Sequence, residues 1–305
     1  MSLVVVGSVA YDTIETPAGR AERVLGGACT YIALAASYFV PVGIVAVVGD
    51  DFAEQDRQLF ARRGIDLAGL EHRPGKTFQW EGVYSDDWNR RETRRLELNV
   101  FAGFEPCLPE HYRRQPYLVL GNIQPSLQRQ VRKQVPEARL VAGDTIETWI
   151  RTARNELLEA MREWHVLLVN ESEARLLSGE RSLRRAAETL LQVGPKAVVI
   201  KCGEYGAALF CAGDYFYAPA YPLAEVQDPT GAGDCFAGGF MGYLAEQGCD
   251  LVADKVPRRE LARAVLYGSV LGSFCCERFG PKRFETLTRE EIDRRFRELE
   301  SYTRF

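Results

Sequence analysis

Histidine, methionine and long apolar runs are scarce in this chain. The 305 residues include 3 histidines and 3 methionines. The 8 cysteines form no C-x-x-C pair and have no histidine at zinc spacing, which argues against a zinc site and against a disulfide framework. We expect them to be reduced and mostly buried side chains of a cytoplasmic protein. A secretory signal is not expected, and no apolar run is long enough to span a bilayer.

Excess charge and repetition are missing as well. With 38 basic and 42 acidic residues, the net charge is −4. A broad basic surface is therefore excluded, and neither nucleic acid nor a membrane is expected as a partner. The sequence also shows no internal repeat and no low-complexity linker. Its length favours one large α/β domain with a small appendage.

Short Val/Ile/Leu-rich runs alternate with amphipathic segments along most of the chain. This alternation predicts parallel strands that are joined by crossover helices. The predicted strands are 3–7, 43–48, 117–121, 139–142, 166–169, 197–201 and 207–211. The predicted helices are 27–38, 52–63, 126–135, 151–162, 171–178, 182–192, 234–247, 258–275 and 289–300.

Two segments, 12–25 and 75–101, break this alternation. Their apolar residues, among them Phe78, Trp80 and Tyr84, predict antiparallel strands. The second segment also carries a dense group of charges, which predicts a solvated hairpin tip. These charged residues are Asp86, Asp87, Arg90, Arg91, Glu92, Arg94 and Arg95.

A glycine-rich turn, Asp228-Pro229-Thr230-Gly231-Ala232-Gly233-Asp234, opens an apolar helix. Glycines let the backbone approach an anion closely, and the N–H groups of the turn add to the positive end of the helix dipole. Such a nest can hold the negative charge of a phosphate in flight. A carboxylate beside the nest, Asp234, is best explained as a base that takes a proton from an attacking hydroxyl.

Two better-known glycine motifs do not fit this chain. A dinucleotide fingerprint needs a third glycine where Phe236 stands. Gly75-Lys76-Thr77 could end a P-loop only if the preceding glycine stood at position 70, but that glycine is Gly69. A P-loop also continues into a helix, whereas the residues after Thr77 are typical of a strand. A plain helix N-cap remains the alternative for the turn.

The motif at 228–240 resembles the C-terminal signature of the ribokinase-like (PfkB) carbohydrate kinase family. Other segments agree in order and spacing. Asp12 after the first strand and the loop Gly26-Gly27 are similar to the family's substrate-binding residues, and Asn170-Glu171-Ser172-Glu173 is similar to its Asn-x-x-Glu magnesium motif. Segments 45–52, 64–66 and 198–207 also match.

The resemblance implies a three-layer α/β fold, with a mostly parallel central sheet flanked by helices and a small β-lid. The nucleotide- and substrate-binding domain would comprise 1–11, 26–74 and 102–305, and the discontinuous lid 12–25 and 75–101. Two subunits would meet through their lids as a homodimer. ATP would be the co-substrate, with Mg²⁺ and, in many relatives, a monovalent cation such as K⁺.

The resemblance also implies a role for each site residue. The catalytic residues would be Asp234, Gly231, Ala232 and Gly233. The substrate-binding residues would be Asp12, Gly26, Gly27 and Tyr31. ATP would contact Lys201, Gly203, Gly206, Thr230 and Gly233. The metal-binding residues would be Asn170, Glu173 and Asp228, the last at the monovalent cation. Asn170 and Glu173 could instead form a helix capping box, and Asp12 could be a turn residue.

Tyr31 departs from the family pattern, because sugar kinases of the ribokinase type usually have an asparagine there. The predicted activity is transfer of the γ-phosphate of ATP to a hydroxyl of a sugar, expected to be a CH2OH group. A nucleoside or polyol kinase is the alternative within the family. A catalytically silent sugar or nucleotide sensor is the alternative outside enzymes.

Overall fold

The computed structural model describes residues 3–85, 87–88, 90–211, 213–253 and 257–303. Its strands, β1 to β13, are Leu3–Val6, Ala10–Thr16, Gly19–Gly26, Val42–Val48, Asp66–His72, Phe78–Tyr84, Arg91–Glu97, Tyr117–Leu120, Leu140–Asp144, Val166–Asn170, Ala197–Lys201, Ala207–Cys211 and Asp214–Ala218. Its α-helices, α1 to α10, are Ala28–Ala36, Glu54–Arg62, Pro125–Gln134, Glu147–Thr152, Arg154–Met161, Glu171–Ser178, Leu183–Leu191, Ala232–Glu246, Arg258–Cys275 and Arg289–Ser301.

Nine strands form the central sheet, in the order β13-β12-β11-β10-β9-β8-β1-β4-β5. From β11 to β5 all neighbours are parallel, and only β12 and β13 at one edge are antiparallel. Strands β1, β4 and β8 are apolar at nearly every position and buried throughout. This is the pattern of parallel strands covered on both faces. The predicted parallel α/β architecture is confirmed.

Alternate residues of each strand enter two separate hydrophobic cores. In β1, Leu3 and Val5 face the core that contains helices α1, α8, α9 and α10. Val4 and Val6 face the other core, with α3, α5, α6 and α7. Glycines let α8 approach α1 closely, since a Cβ on Gly238 would lie 2.3 Å from the Ile32 carbonyl oxygen. This packing sets the position of the turn that begins α8.

A second, four-stranded sheet has the order β3-β2-β6-β7. The predicted antiparallel pairing is right for the two hairpins, β2–β3 and β6–β7, and wrong for the contact between them, because β2 and β6 are parallel. Strand β2 continues from β1 and β6 follows β5, and β1 and β5 run in the same direction in the central sheet. Both hairpins therefore leave that sheet in one direction. Asp86, which we expected at a solvated tip, lies outside the described residues.

Three elements were not anticipated from the sequence: β5, β13 and α4. Strands β5 and β13 lie at the two edges of the central sheet, and exposed side chains interrupt the buried apolar run that marks the other strands. Edge strands need less burial, so their sequences give a weaker pattern. Within the described residues, no helix combines the length and the apolarity needed to cross a bilayer.

Candidate active site

The glycine-rich turn lies at the N-terminus of α8, as its sequence predicts. Gly231 is the N-cap residue and has a left-handed backbone, with φ of 78°. A Cβ on Gly231 would also come within 2.4 Å of the Tyr31 ring. Both the conformation and the space therefore require glycine. The Ala232 N–H donates to the Pro229 carbonyl oxygen at 3.1 Å, and the N–H groups that follow it in the first helical turn, beginning with Gly233, form a nest suited to an anion.

Asp228 stabilises this turn by accepting hydrogen bonds from two backbone N–H groups. Its Oδ1 accepts a hydrogen bond of 2.8 Å from the Thr230 N–H, and its Oδ2 accepts one of 3.0 Å from the Gly280 N–H. The side chain is 1 % exposed. Buried carboxylates need such partners, because an unpaired one is costly. The contacts show a scaffold between the turn and residue 280, and the predicted cation-binding role of Asp228 stays a prediction.

Asp234 lies in the first turn of α8, beside the half-buried Lys201. Burial raises the pKa of Asp234 to about 7, the negative charge of Asp144 raises it as well, and the charges of Lys201 and Arg91 oppose the rise. Lys201 Nζ is 3.8 Å from Asp144 Oδ2 and 3.5 Å from the Gly233 carbonyl oxygen. The predicted base and the predicted ATP-binding lysine are therefore neighbours.

Asn170 and Glu173 form the capping box that the sequence left as an alternative. Asn170 Oδ1 accepts a 2.8 Å hydrogen bond from the Glu173 N–H, and the Asn170 N–H donates to Glu173 Oε2 at 2.9 Å. Glu173 nevertheless lies near the other site carboxylates, because the charge of Asp144 acts on it. Burial and then this charge raise the pKa of Glu173 to about 7. Their metal role stays a prediction.

The carboxylates of this region suit a hydrated divalent cation. The negative charge of Asp144 raises the pKa of Glu173 and of Asp234, so a cation near these carboxylates would relieve the repulsion. Among the described residues, no cluster of three or more His, Cys, Asp or Glu side chains is close enough to hold a metal ion by itself. Magnesium, which keeps several of its waters, fits such a sparse donor set.

Asp12 lies in β2 of the small sheet and is 5 % exposed. Its carboxylate packs on Gly26, where a Cβ would lie 2.0 Å from Asp12 Oδ2. Gly27 has φ of 89° and its N–H interacts with the Asp12 carboxylate. Burial raises the pKa of Asp12 to about 7, and the charges of Asp228 and Asp234 contribute. Asp12 and the Gly26-Gly27 loop thus form one unit that faces the turn at 228–234.

Tyr31, the residue that departs from the family pattern, is 1 % exposed and packs its ring against Gly231. Its hydroxyl is buried and has no hydrogen-bond partner among the described residues. The side chain therefore supports the turn from behind in this structure. Its predicted contact with substrate stays a prediction, and the geometry favours the supporting role.

Gly203 and Gly206, two further predicted ATP contacts, lie between β11 and β12, shortly after Lys201. Gly206 has φ of 115°, and a Cβ there would lie 2.0 Å from the Ala218 carbonyl oxygen. The turn can therefore follow its path only with glycine. Thr230 is 7 % exposed and its Oγ1 lies 3.2 Å from the Tyr84 hydroxyl of the small sheet.

The sequence pattern of the pfkB family carbohydrate kinases matches residues 118–287. This chain belongs to that family. A cytidine kinase from Thermococcus kodakarensis is 31% identical over 249 residues, which are 80% of this chain and 88% of the relative. The inositol 3-kinase of Oryza sativa subsp. japonica is 27% identical over 253 residues, which are 79% of this chain and 62% of the relative.

Solved structures of related kinases share the fold. A nucleoside kinase of Burkholderia thailandensis in complex with inosine has a TM-score of 0.80 at 22% identity and covers 98% of both chains. A fructokinase from Xylella fastidiosa with bound ATP has a TM-score of 0.79 at 17% identity and covers 98% of this chain and 99% of its own. The ribokinase-like fold is therefore confirmed, and this pfkB protein is a kinase.

Two charged residues near the site of this kinase were not assigned from the sequence, Asp144 and Arg91. Asp144 ends β9 and is 6 % exposed, and its Oδ1 accepts a 2.7 Å hydrogen bond from the Thr145 N–H. Asp144 could have been predicted as a site residue, because it is an acidic residue at the carboxyl end of a buried parallel strand. Ligands of such sheets bind at that edge. Arg91 lies on the small sheet, and its sequence neighbours are mostly surface charges.

Proposed function

We propose that this kinase transfers the γ-phosphate of ATP to the primary hydroxyl of a sugar ring, and that the ring belongs to a nucleoside. The observation that carries the transfer is the placement of Asp234. It stands in the first turn of α8, next to the anion nest, with a pKa raised mainly by burial to about 7. A base with that pKa is half ionised near neutral pH, which suits general base catalysis.

The transfer follows from this arrangement. The acceptor oxygen attacks the γ-phosphorus, the bond from that phosphorus to the bridging oxygen of ADP breaks, and the acceptor proton goes to Asp234. The N–H groups of Gly231, Ala232 and Gly233 stabilise the negative charge of the phosphoryl oxygens as it develops. Lys201, beside Gly233, binds the phosphates of the nucleotide.

Metal binding is part of the proposal. Glu173 and Asp144, together with Asn170, would hold hydrated Mg²⁺ through its waters, where the ion would neutralise charge on the triphosphate. The proposal also includes a monovalent cation near Asp228 and Thr230. This site has less support than the Mg²⁺ site, because both carboxylate oxygens of Asp228 already accept backbone hydrogen bonds.

The acceptor would bind between Asp12 and the turn. A carboxylate can accept hydrogen bonds from two neighbouring hydroxyls, as on a ribose ring, and rejects compounds that lack them. Asp12 pairs with Trp80 in the small sheet, and Phe78 lies two residues earlier on the same strand face. These half-buried rings offer an apolar surface to a nucleobase. The cytidine kinase relative, matched over 88% of its length, supports a nucleoside.

We assign the small sheet the role of a lid over the acceptor, with the boundaries 12–25 and 75–101. Closure would exclude water from the phosphoryl group. Leu96 and Leu98 are 55 % and 42 % exposed, so a second lid of a homodimer could cover them. Use of ATP is consistent with the cytoplasmic location that we propose.

A screen of acceptors tests this function. Purified protein is assayed for ADP release from Mg-ATP with cytidine, inosine, adenosine, ribose, fructose and myo-inositol, with Asp234→Asn as the control. We expect a nucleoside to give the highest kcat/KM and Asp234→Asn to lose 10² to 10⁴ in kcat, the range of general base contributions. A preference for ribose, fructose or myo-inositol would show that the acceptor is a free sugar or a polyol and not a nucleoside. ADP release no faster than that of Asp234→Asn with every acceptor would favour a catalytically silent sensor.

A further inference from the structure

The parallel strands β8 and β9 stop pairing with each other close to the site. Their last paired residues are Leu120 and Gly143. The next residue on each strand, Gly121 and Asp144, lies beyond the end of this ladder, and both residues are buried. A buried carbonyl oxygen at such a position needs a donor from elsewhere in the chain.

Gln128 of α3 supplies that donor. Its Nε2 donates to the Gly121 carbonyl oxygen at 3.0 Å and to the Asp144 carbonyl oxygen at 2.9 Å. The side chain is 1 % exposed, and its Oε1 has no hydrogen-bond partner within the part of the chain that the structure describes. An unpaired buried oxygen costs free energy, so the favourable contacts of this amide are those of its nitrogen. Gln128 thus replaces one further rung between β8 and β9.

Asp144 connects this contact to the site. Its Oδ1 accepts a 2.7 Å hydrogen bond from the Thr145 N–H, and its Oδ2 lies 3.8 Å from Lys201 Nζ. The charge of Asp144 also acts on Glu173 of α6 and on Asp234 of α8. A shift of the carboxyl end of β9 would therefore change several interactions of the site at once.

We propose that Gln128 is a positioning residue for Asp144 and thereby sets the affinity of the site for nucleotide-bound Mg²⁺. This inference rests on the proposed function, in which Asp144 and Glu173 hold the hydrated ion. Groups that orient a metal-binding side chain without touching the metal typically contribute about 10- to 100-fold to metal affinity or activity. Gln128 belongs to the helices that cover one face of the central sheet, so its influence passes through the backbone of Asp144.

A purely structural role is the alternative, and the same helix offers a matched control for it. Gln134 of α3 also bonds to backbone groups: its Nε2 donates to the Pro106 carbonyl oxygen at 2.9 Å, and its Oε1 accepts from the Leu108 N–H at 3.0 Å. These contacts tie α3 to the segment that precedes β8. Gln134→Met therefore removes a comparable set of hydrogen bonds at a distance from Asp144.

The first test measures binding and needs no acceptor. Isothermal titration of β,γ-imido ATP, a non-hydrolysable ATP analogue, is repeated at a series of Mg²⁺ concentrations for the parent, Gln128→Met and Gln134→Met. Methionine keeps the length of the side chain and removes the donors. We expect the Mg²⁺ concentration for half-maximal tightening of the nucleotide to rise about tenfold or more in Gln128→Met and to stay within about twofold of the parent in Gln134→Met.

A double-mutant cycle tests whether the effect passes through Asp144. Gln128→Met is combined with Asp144→Asn, and the Mg²⁺ requirement is measured in both backgrounds. We expect Gln128→Met to change this requirement by less than about twofold when Asp144 is already asparagine, because residues that act as one unit are not additive. The same tenfold effect in both backgrounds would overturn the positioning role.

Two other results would also overturn it: a Mg²⁺ requirement of Gln128→Met within threefold of the parent, or an equal rise in Gln134→Met. If Gln128→Met does not fold, as judged by thermal melting, Gln128→Asn is read by the same criteria, because its amide is one methylene shorter. If no acceptor of the screen is phosphorylated, the proposed transfer is contradicted, and the titration with β,γ-imido ATP still decides the role of Gln128.

Discussion

Replacing Asp234 with asparagine should make the protein more stable, and more so at alkaline pH. Burial and the neighbouring charge of Asp144 raise the pKa of Asp234 from 3.8 to about 7, which means that the native fold disfavours its ionised form. Between these two values the native protein holds a proton that the unfolded chain has released. Stability from this group is therefore present at low pH and is lost as pH rises through the folded-state pKa.

The size of the effect follows from the difference between pH 5 and the folded-state pKa of Asp234. From pH 5 to a pKa of about 7 there are about two units, each worth about 1.4 kcal/mol, so the parent should lose up to about 3 kcal/mol through Asp234. The side chain is only partly buried, and water will reduce this figure to about 1–3 kcal/mol. Asparagine has no charge to desolvate and should not show the loss.

Urea unfolding of the parent and of Asp234→Asn at pH 5 and pH 8 measures the difference. We expect the gain in unfolding free energy from the substitution to be about 1–3 kcal/mol larger at pH 8 than at pH 5. The control is Glu188→Gln, which removes an exposed carboxylate paired with Arg184 at 3.0 Å and should change stability by less than about 1 kcal/mol. An Asp234→Asn protein with the same pH dependence as the parent would refute the reasoning.

Three further predictions concern the same site. The kcat/KM of the parent should fall as pH drops below about 7, where Asp234 becomes protonated, and Lys201→Met should move that limb to higher pH because the lysine charge lowers the pKa of the base. Gly231→Ala should place a Cβ 2.4 Å from the Tyr31 ring at a φ of 78°, so we expect a loss of about 1–3 kcal/mol by denaturant titration together with weaker ATP binding. Glu173→Ala should raise the Mg²⁺ concentration needed for half-maximal activity with little change in Tm. A lower Tm with an unchanged Mg²⁺ requirement would mean that the carboxylate serves only as a helix cap.

Local patterns determined the fold class and the centre of the site. The buried runs of the parallel strands and the amphipathic helices between them are readable one segment at a time, because burial on both faces selects apolar residues at each position. The turn at 228–234 is equally local: its left-handed glycine, its helix start and its carboxylate follow each other within one short segment. The pairing of Asn170 with Glu173 as a capping box was also visible from their spacing.

Tertiary structure decided everything that depends on which strands become neighbours. The parallel contact of β2 with β6 arises because both continue strands that run the same way in the central sheet. Asp144 joins Lys201 only because β9, β10 and β11 are adjacent and parallel, so that their carboxyl ends meet. Arg91 is one of several arginines in its segment, and nothing in the sequence separates it from Arg90 or Arg94. Arg91 is paired in register with Tyr84, whose hydroxyl contacts Thr230, a residue 146 positions away in the chain. Charges act through space at distances that only folding sets, so local sequence carries no record of them.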